Sequence, residues 1–142
     1  MNLLITLAIL VAAAPALAQQ ANPATPLPGR MLYAKTCAAC HGADLQGQPD
    51  WKRRLDTGRM PAPPHDVTGH TWHHSDRDLF TLTKRGVAAV AGAGYESDMP
   101  GFGDRLSDAE IMAVLDYIKS TWPVRAQETQ AAITAAEGAL TP

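Results

Sequence analysis

Apolar positions follow a helical period most clearly in the C-terminal third of the chain. Between residues 111 and 118 they recur at spacings of three and four, the pattern of one face of an α-helix. The preceding run Ser107-Asp-Ala-Glu110 has the form of a capping box and predicts where this helix begins. The helix is expected to end near Trp122-Pro123. Its apolar face comprises Ile111, Val114, Leu115 and Ile118.

Two shorter helices are predicted upstream. Residues 29–39 can form the first of them. Ser75-Asp-Arg-Asp78 places an N-cap three residues before an acid and opens the second, which Gly86 stops. Residues 42–74 carry Gly and Pro at short intervals and are expected to be mostly loop, while residues 86–94 are small and flexible. The sequence shows no alternating run of strand length.

Residues 1–18 have the features of a secretory signal. An apolar run, too short to span a membrane, is followed by the small-x-small site Ala16-Leu17-Ala18. Cleavage after Ala18 predicts an exported, periplasmic protein with no membrane span. The alternative is an uncleaved N-terminal anchor.

Three segments follow that cleavage site. Residues 19–28 are predicted to be a flexible, Pro-rich leader. Residues 29–123 are predicted to be the folded domain. Residues 124–142 are rich in Ala and Gln, carry no motif and are expected to be a weakly helical tail.

Composition limits what these segments can build. The formal net charge of -2 gives no reason to expect nucleic acid or an anionic membrane as a partner. Leu, Ile, Val and Phe number 19 in residues 19–142, which is below the roughly 20% at which a chain readily builds a core. Either much of the chain is disordered, or a group that is not amino acid fills its centre.

Both cysteines lie in the run Cys37-Ala-Ala-Cys40-His41, which is the attachment sequence for c-type haem. Two thiols three positions apart on a helical turn can each form a thioether to a vinyl group of the porphyrin, and His41 then ligates the iron. A redox dithiol is one alternative, but no βαβ pattern surrounds the pair. Half of a zinc site is another, but a second Cys pair is absent. One covalently bound haem c would also supply the apolar area that the composition lacks.

Haem iron in electron-transfer proteins is commonly held by His on one side and Met on the other. Met99, followed by Pro-Gly-Phe, is the preferred distal ligand because it lies on a loop and the proline fixes the backbone. Met60 also lies on a loop and is the runner-up. Met31 shares a short helix with Cys37, and Met112 lies inside the strongest helix, where core packing is the expected role.

The order of these features resembles the class I, mono-haem cytochrome c family over about residues 29–122. The Cys-x-x-Cys-His run is the most specific motif, and the Met99-Pro-Gly-Phe run and the terminal helix support it. The resemblance implies an all-α cytochrome c fold in which the N- and C-terminal helices cross around one covalently bound haem. In such a crossing, Tyr33 meets the apolar face of the C-terminal helix near Tyr117. Residues 29–123 are then the cytochrome c domain.

The resemblance also implies that a proline carbonyl orients the proximal histidine by accepting its other ring N–H. The matching positions are Pro61, Pro63 and Pro64, of which Pro63 is the candidate carried forward. The haem propionates need donors, and indole and guanidinium N–H groups suit them. The candidates are Trp51, Arg54, Arg59 and Trp72. The alternative is that the two tryptophans pack on the haem edge and the arginines lie in solvent.

Two further clusters of side chains are conspicuous. Four histidines lie within ten positions and suggest a Cu(II) or Zn(II) site. The alternative is that one of them contacts the haem edge and the others are exposed. The four are His65, His70, His73 and His74. The sequence has one cluster of basic residues. It could be a docking patch for an acidic partner, or it could be a solvated loop. Its members are Lys52, Arg53, Arg54 and Arg59.

The expected function is a periplasmic electron carrier, not an enzyme, which shuttles single electrons in a respiratory chain. A dehydrogenase or quinol-oxidising complex is the expected donor and an oxidase or reductase the expected acceptor; the chain could also be a subunit of an oxidoreductase complex. The segment Gly69-His-Thr-Trp-His-His74 is similar to a bacterial periplasmic subgroup of the family. The alternatives are a catalytic or gas-sensing haem protein with a displaceable Met99, and a copper-binding protein that uses residues 65–74.

Overall fold

The structure, a computed structural model, describes residues 28–138. The predicted signal segment, the leader up to residue 27 and residues 139–142 lie outside the described residues. Every regular element within residues 28–138 is helical, which confirms the predicted fold class. In chain order these are α1 (Gly29–Thr36), α2 (Ala38–His41), a 3₁₀ helix (Thr71–His73), α3 (Asp76–Arg85), α4 (Val87–Ala91), α5 (Asp108–Ser120) and α6 (Val124–Glu137).

Capping side chains set the start of the two helices for which the sequence predicted a cap, α3 and α5. At α5, the Ser107 hydroxyl accepts the Glu110 N–H (3.3 Å), and the Glu110 carboxylate accepts the Ser107 N–H (2.9 Å). At α3, the Ser75 hydroxyl accepts the Asp78 N–H at 3.1 Å. Gly86 then ends α3 with a φ of 84°, a left-handed conformation that glycine adopts without strain. The two predicted start sites are confirmed.

Helices α1 and α5 cross, as the family resemblance implies. Leu32 and Tyr33 of α1 are buried against α5, and the Tyr33 and Tyr117 ring centroids lie 5.5 Å apart. The crossing is close because α1 begins with glycine. A Cβ at Gly29 would lie 1.9 Å from the carbonyl oxygen of Ala113. The close contact between these helices therefore depends on a missing side chain.

The C-terminal segment is helical, as its composition suggested, but it packs on the rest of the fold, which its lack of a motif did not indicate. Residues 124–137 form the 14-residue helix α6, which packs against the 3₁₀ helix. Gln130 of α6 is buried, and its amide donates to the Asp76 carboxylate (2.8 Å), to the Thr134 hydroxyl (3.0 Å) and to the His74 carbonyl (3.3 Å). The polar contacts of Gln130, together with the buried Ala126, thus hold α6 in place.

Residues 86–94 also differ from their prediction as a flexible segment, because Val87–Ala91 form α4. The loop expected over residues 42–74 is largely present, interrupted by the 3₁₀ helix. No helix in the part of the chain that the structure describes is long and apolar enough to cross a bilayer.

Candidate functional site

The two cysteines lie where α1 passes into α2. The Cys37 N–H donates to the Tyr33 carbonyl at 2.8 Å, and the His41 N–H donates back to the Cys37 carbonyl at 2.9 Å. These hydrogen bonds fix the backbone of the turn that carries both thiols. Both are free; Cys37 is half-buried and Cys40 exposed. Burial raises the pKa of the Cys37 thiol, and the Thr36 hydroxyl acts in the opposite direction.

His41 is buried directly after this turn. Its Nδ1 lies 2.8 Å from the carbonyl oxygen of Pro63. Because a carbonyl only accepts, Nδ1 carries the proton and Nε2 keeps a free lone pair, which is the form that a metal ligand needs. Burial lowers the pKa of His41, opposed by the bond to Pro63, and so also favours the neutral ring.

The Pro63 carbonyl is presented by a loop that is pinned on both sides. Gln48 binds the backbone of Ala62 twice, through its N–H to the Ala62 carbonyl (2.9 Å) and through its side-chain oxygen to the Ala62 N–H (2.7 Å). Gly47 packs so closely that a Cβ there would lie 2.4 Å from the Pro64 nitrogen. Of the three matching prolines, Pro63 is thus the one whose carbonyl lies within hydrogen-bond distance of the His41 ring.

A second histidine, which the sequence indicated only as a member of the histidine cluster, also lies at this site. The His65 ring stacks on the His41 ring, with centroids 3.9 Å apart and an interplanar angle of 23°. Burial, reinforced by the neighbouring His41, lowers the pKa of His65 to about 3. The position of His65 two residues after Pro63 could have indicated that it lies near His41. In the sequence, it instead forms a group with the three other histidines of residues 65–74.

Met99 lies on the loop between α4 and α5, and Met60 lies on the loop after α2. The loop around Met99 packs on the end of α3, where the Phe102 N–H donates to the Thr83 carbonyl at 3.0 Å. A Cβ at Gly86 would lie 3.2 Å from the Met99 carbonyl oxygen. Both methionines are partly buried.

Arg59 joins these two loops. Its Nη1 is hydrogen-bonded to the Asp98 carboxylate, and its Nε lies 3.5 Å from the Glu96 carboxylate. Both acids raise the pKa of Arg59, Asp98 more strongly. Nearby, the Arg54 guanidinium lies 5.9 Å from the Tyr95 ring centroid. Two of the four candidate propionate donors therefore lie beside the Met99 loop.

The two tryptophans lie against histidines instead. Trp51 stacks on His70 with centroids 5.4 Å apart, and the Trp72 centroid is 3.7 Å from that of His73. The Trp72 indole N–H also donates to the Val67 carbonyl at 3.3 Å. Two members of the histidine cluster remain neighbours, since the His70 and His74 ring centroids lie 5.4 Å apart. Among residues 28–138, no group of three or more His, Cys, Asp or Glu side chains is arranged to hold a metal ion.

Three relatives are between 27% and 32% identical to this chain over the residues that align. The cbb3-type cytochrome c oxidase subunit CcoP of Azospirillum brasilense is 32% identical over 91 residues, which cover 63% of this chain and 26% of the relative. The FixP subunit of Azorhizobium caulinodans is 27% identical over 109 residues, covering 77% and 33%. The CcoP subunit of Rhodobacter capsulatus is 30% identical over 104 residues, covering 72% and 31%. The chain thus spans about a quarter to a third of the length of these relatives.

Family comparison agrees with the site. The family model for cytochrome c matches residues 27–122, which include the cysteines, His41, Pro63 and Met99. Members of this family bind c-type haem covalently and transfer electrons through it, which matches the paired free thiols and the oriented neutral imidazole. The chain belongs to the cytochrome c family, as its resemblance to class I predicted.

Proposed function

We propose that this chain is a periplasmic electron carrier with one haem c, attached through Cys37 and Cys40 and ligated by His41 and Met99. The observation that carries the proposal is the bond between His41 Nδ1 and the Pro63 carbonyl, directly after two free thiols. That bond leaves Nε2 as the only ring nitrogen able to ligate iron.

The donors around the site fit a haem with two carboxylate side chains. The Nε of Arg59 makes no hydrogen bond within residues 28–138; the Glu96 carboxylate lies 3.5 Å from it, and the Arg59 side chain as a whole is 40% exposed. A guanidinium N–H is a suitable donor to a propionate oxygen, and this one is not committed to a hydrogen bond. When bound, the haem supplies one-electron redox chemistry at its iron. The chain's part is to fix the two ligands, keep His41 neutral and hold the loops closed.

The proposed partners are redox proteins, and the relatives support this because they are named as oxidase subunits. A dehydrogenase or quinol-oxidising complex is the proposed donor, and an oxidase or reductase the acceptor. Arg59 contributes little to a docking patch, since two acids offset its charge. The exposed basic residues Lys52, Arg53 and Arg54 remain for a small, weak encounter with an acidic partner.

Optical spectra of the ferric and ferrous protein test the axial ligands. A sulfur-to-iron charge-transfer band at the red end of the ferric spectrum is expected, together with poor CO binding by the ferrous protein. Met99→Ala should abolish the band and admit CO, whereas the matched control Met60→Ala should leave both unchanged. A band that survives Met99→Ala and disappears in Met60→Ala would transfer the role to Met60.

The same spectra separate this proposal from a catalytic or gas-sensing haem protein. Such a protein would lack the Met band as purified and would bind CO readily. A copper-binding role through residues 65–74 gains little support: the His70 and His74 rings lie 5.4 Å apart, but among the described residues no third His, Cys, Asp or Glu completes a site with them. Intact mass of the exported protein checks the remaining details: an N-terminus at Gln19 and the mass of one haem are expected.

A further inference from the structure

His65 is held in place more firmly than a chance neighbour of the proximal ligand requires. Its Nδ1 lies 2.9 Å from the Thr71 hydroxyl. Its backbone N–H donates to the Leu45 carbonyl at 2.8 Å, and its own carbonyl accepts the Trp122 indole N–H at 2.7 Å. The flat face of the ring then lies on His41. One hydrogen bond thus holds the ring that covers one face of His41, and two more hold the backbone of the same residue.

The stacked His65 ring restricts a rotation of the His41 ring that the hydrogen bond to Pro63 leaves largely free. A hydrogen bond at Nδ1 fixes the direction in which the opposite nitrogen of His41 points, but it restrains rotation of the ring plane only weakly. A parallel ring at 3.9 Å restrains that rotation, because turning His41 would drive its edge into His65. The two contacts together define one orientation of the ligand.

The hydrogen bonds of His65 also define which of its atoms carries a proton. The Thr71 hydroxyl donates to the Pro64 carbonyl at 3.4 Å, and it therefore accepts from Nδ1 of His65. The result is a neutral, dipolar ring beside the ligand. An aliphatic side chain of similar size at this position would pack but would carry no dipole.

We propose that His65 is a positioning residue that sets the ring plane of His41 and, through it, the reduction potential of the haem iron. This rests on the proposed role of His41 as a haem ligand. A dipolar neighbour stabilises the more highly charged ferric state better than an aliphatic one does, since polarity around a haem ligand tunes the iron. Loss of the imidazole should therefore raise the potential.

Three variants of the holoprotein separate orientation from polarity. His65→Leu removes both the flat face and the dipole, His65→Phe keeps the face, and Thr71→Val keeps the ring but removes its partner. His73→Leu is the matched control, because that histidine is exposed and lies on Trp72. Electron paramagnetic resonance of the ferric protein reports the ligand plane, and redox titration reports the potential.

In His65→Leu the resonance spectrum should change, and the equilibrium constant for reduction should rise roughly threefold, about 30 mV at about 59 mV per factor of ten for one electron. His65→Phe should keep the wild-type spectrum and raise the potential. Wild-type values of both quantities in His65→Leu, or equal changes in His73→Leu, would overturn the proposal. If His65→Leu yields no folded holoprotein, unchanged potentials in His65→Phe and Thr71→Val overturn it.

The test distinguishes this proposal from the proposed function. A wild-type ferric spectrum without the Met band contradicts Met99 ligation but leaves the comparison of His65 variants intact, because they act on the His41 side. A purified chain that carries no haem would instead overturn the proposed function itself.

Discussion

Gly29 shows how strongly one residue can determine this fold. Its Cα lies so close to α5 that a Cβ would meet the Ala113 carbonyl oxygen at 1.9 Å and the Tyr117 Cβ at 3.1 Å. Alanine would gain about 0.5–1 kcal/mol of helix propensity at this position. Forcing two packed helices apart costs about 1–3 kcal/mol or more. The steric cost outweighs the gain.

Gly29→Ala should therefore destabilise the holoprotein by about 2 kcal/mol, measured by urea unfolding. Arg30→Ala is the control, because Arg30 is exposed on the same helix and its loss should change stability by less than about 0.5 kcal/mol. Equal stability of Gly29→Ala and wild type would mean that the helices do not cross this closely.

Single residues also show where sequence reasoning stops. The motif Cys37-x-x-Cys40-His41 is local, so its chemistry can be inferred without a fold. The hydrogen-bond partner of His41 cannot be inferred in this way. Pro63 lies 22 residues away, and only the conformation of its loop decides which of the neighbouring prolines reaches the ring. The contact of Arg59 with Asp98, 39 residues apart, has no sequence signature at all.

At the scale of elements, helix α5 depends on its capping box. Ser107→Ala removes the hydroxyl that accepts the Glu110 N–H and should cost about 1 kcal/mol in urea unfolding. Ser120→Ala at the other end of α5 is the control and should cost only a few tenths, because that serine is exposed. A cost at Ser120 as large as at Ser107 would contradict the role of the cap.

The same pair of residues makes the effect depend on pH. The N–H and hydroxyl of Ser107 hold the pKa of Glu110 below its usual range. Stabilisation by a carboxylate with a lowered pKa is complete above its unfolded-state pKa and is lost as the pH falls through its folded-state pKa. The difference in stability between wild type and Ser107→Ala should therefore shrink on acidification.

Helices α4 and α6 show which helices the hydrophobic pattern of the sequence does not reveal. Helices α3 and α5 begin at cap residues that can be seen in the sequence, and both were predicted. Residues 87–91 are Val and Ala only, and the apolar residues of 124–137 do not segregate to one face, so periodicity gave no signal. Long-range polar contacts and the buried Ala126 hold α6 in place.

Gln130 is the centre of those contacts, and its replacement tests them. Gln130→Ala removes the donor to the His74 carbonyl and one of the donors to the Asp76 carboxylate, which should cost about 2–3 kcal/mol in urea unfolding. Lys119 still binds Asp76 at 2.9 Å and limits the loss. Gln127→Ala, on the exposed side of α6, is the matched control and should cost less than about 1 kcal/mol. Similar costs for the two variants would show that α6 docks by other means.

At the scale of the whole molecule, the sparse large apolar side chains acquire an explanation. Residues 19–142 contain only 19 Leu, Ile, Val and Phe. In the described chain, the buried apolar side chains gather mainly where α1 and α5 cross, with contributions from Leu45, Leu79, Phe102 and Leu106. Loops form much of the wall around His41. A large, flat, apolar haem would give those loops a surface to pack on.

The mature chain without haem should consequently be largely unfolded. Replacing both Cys37 and Cys40 by Ser removes covalent attachment while changing only two side chains of a short turn. Circular dichroism of this variant should show reduced helix content and no cooperative thermal transition, whereas the wild-type holoprotein should unfold cooperatively. Met99→Ala holoprotein is the control: it keeps the attached ring while losing the proposed distal ligand, and it should still unfold cooperatively. A cooperative transition in the haem-free double variant would mean that the protein core alone stabilises the fold.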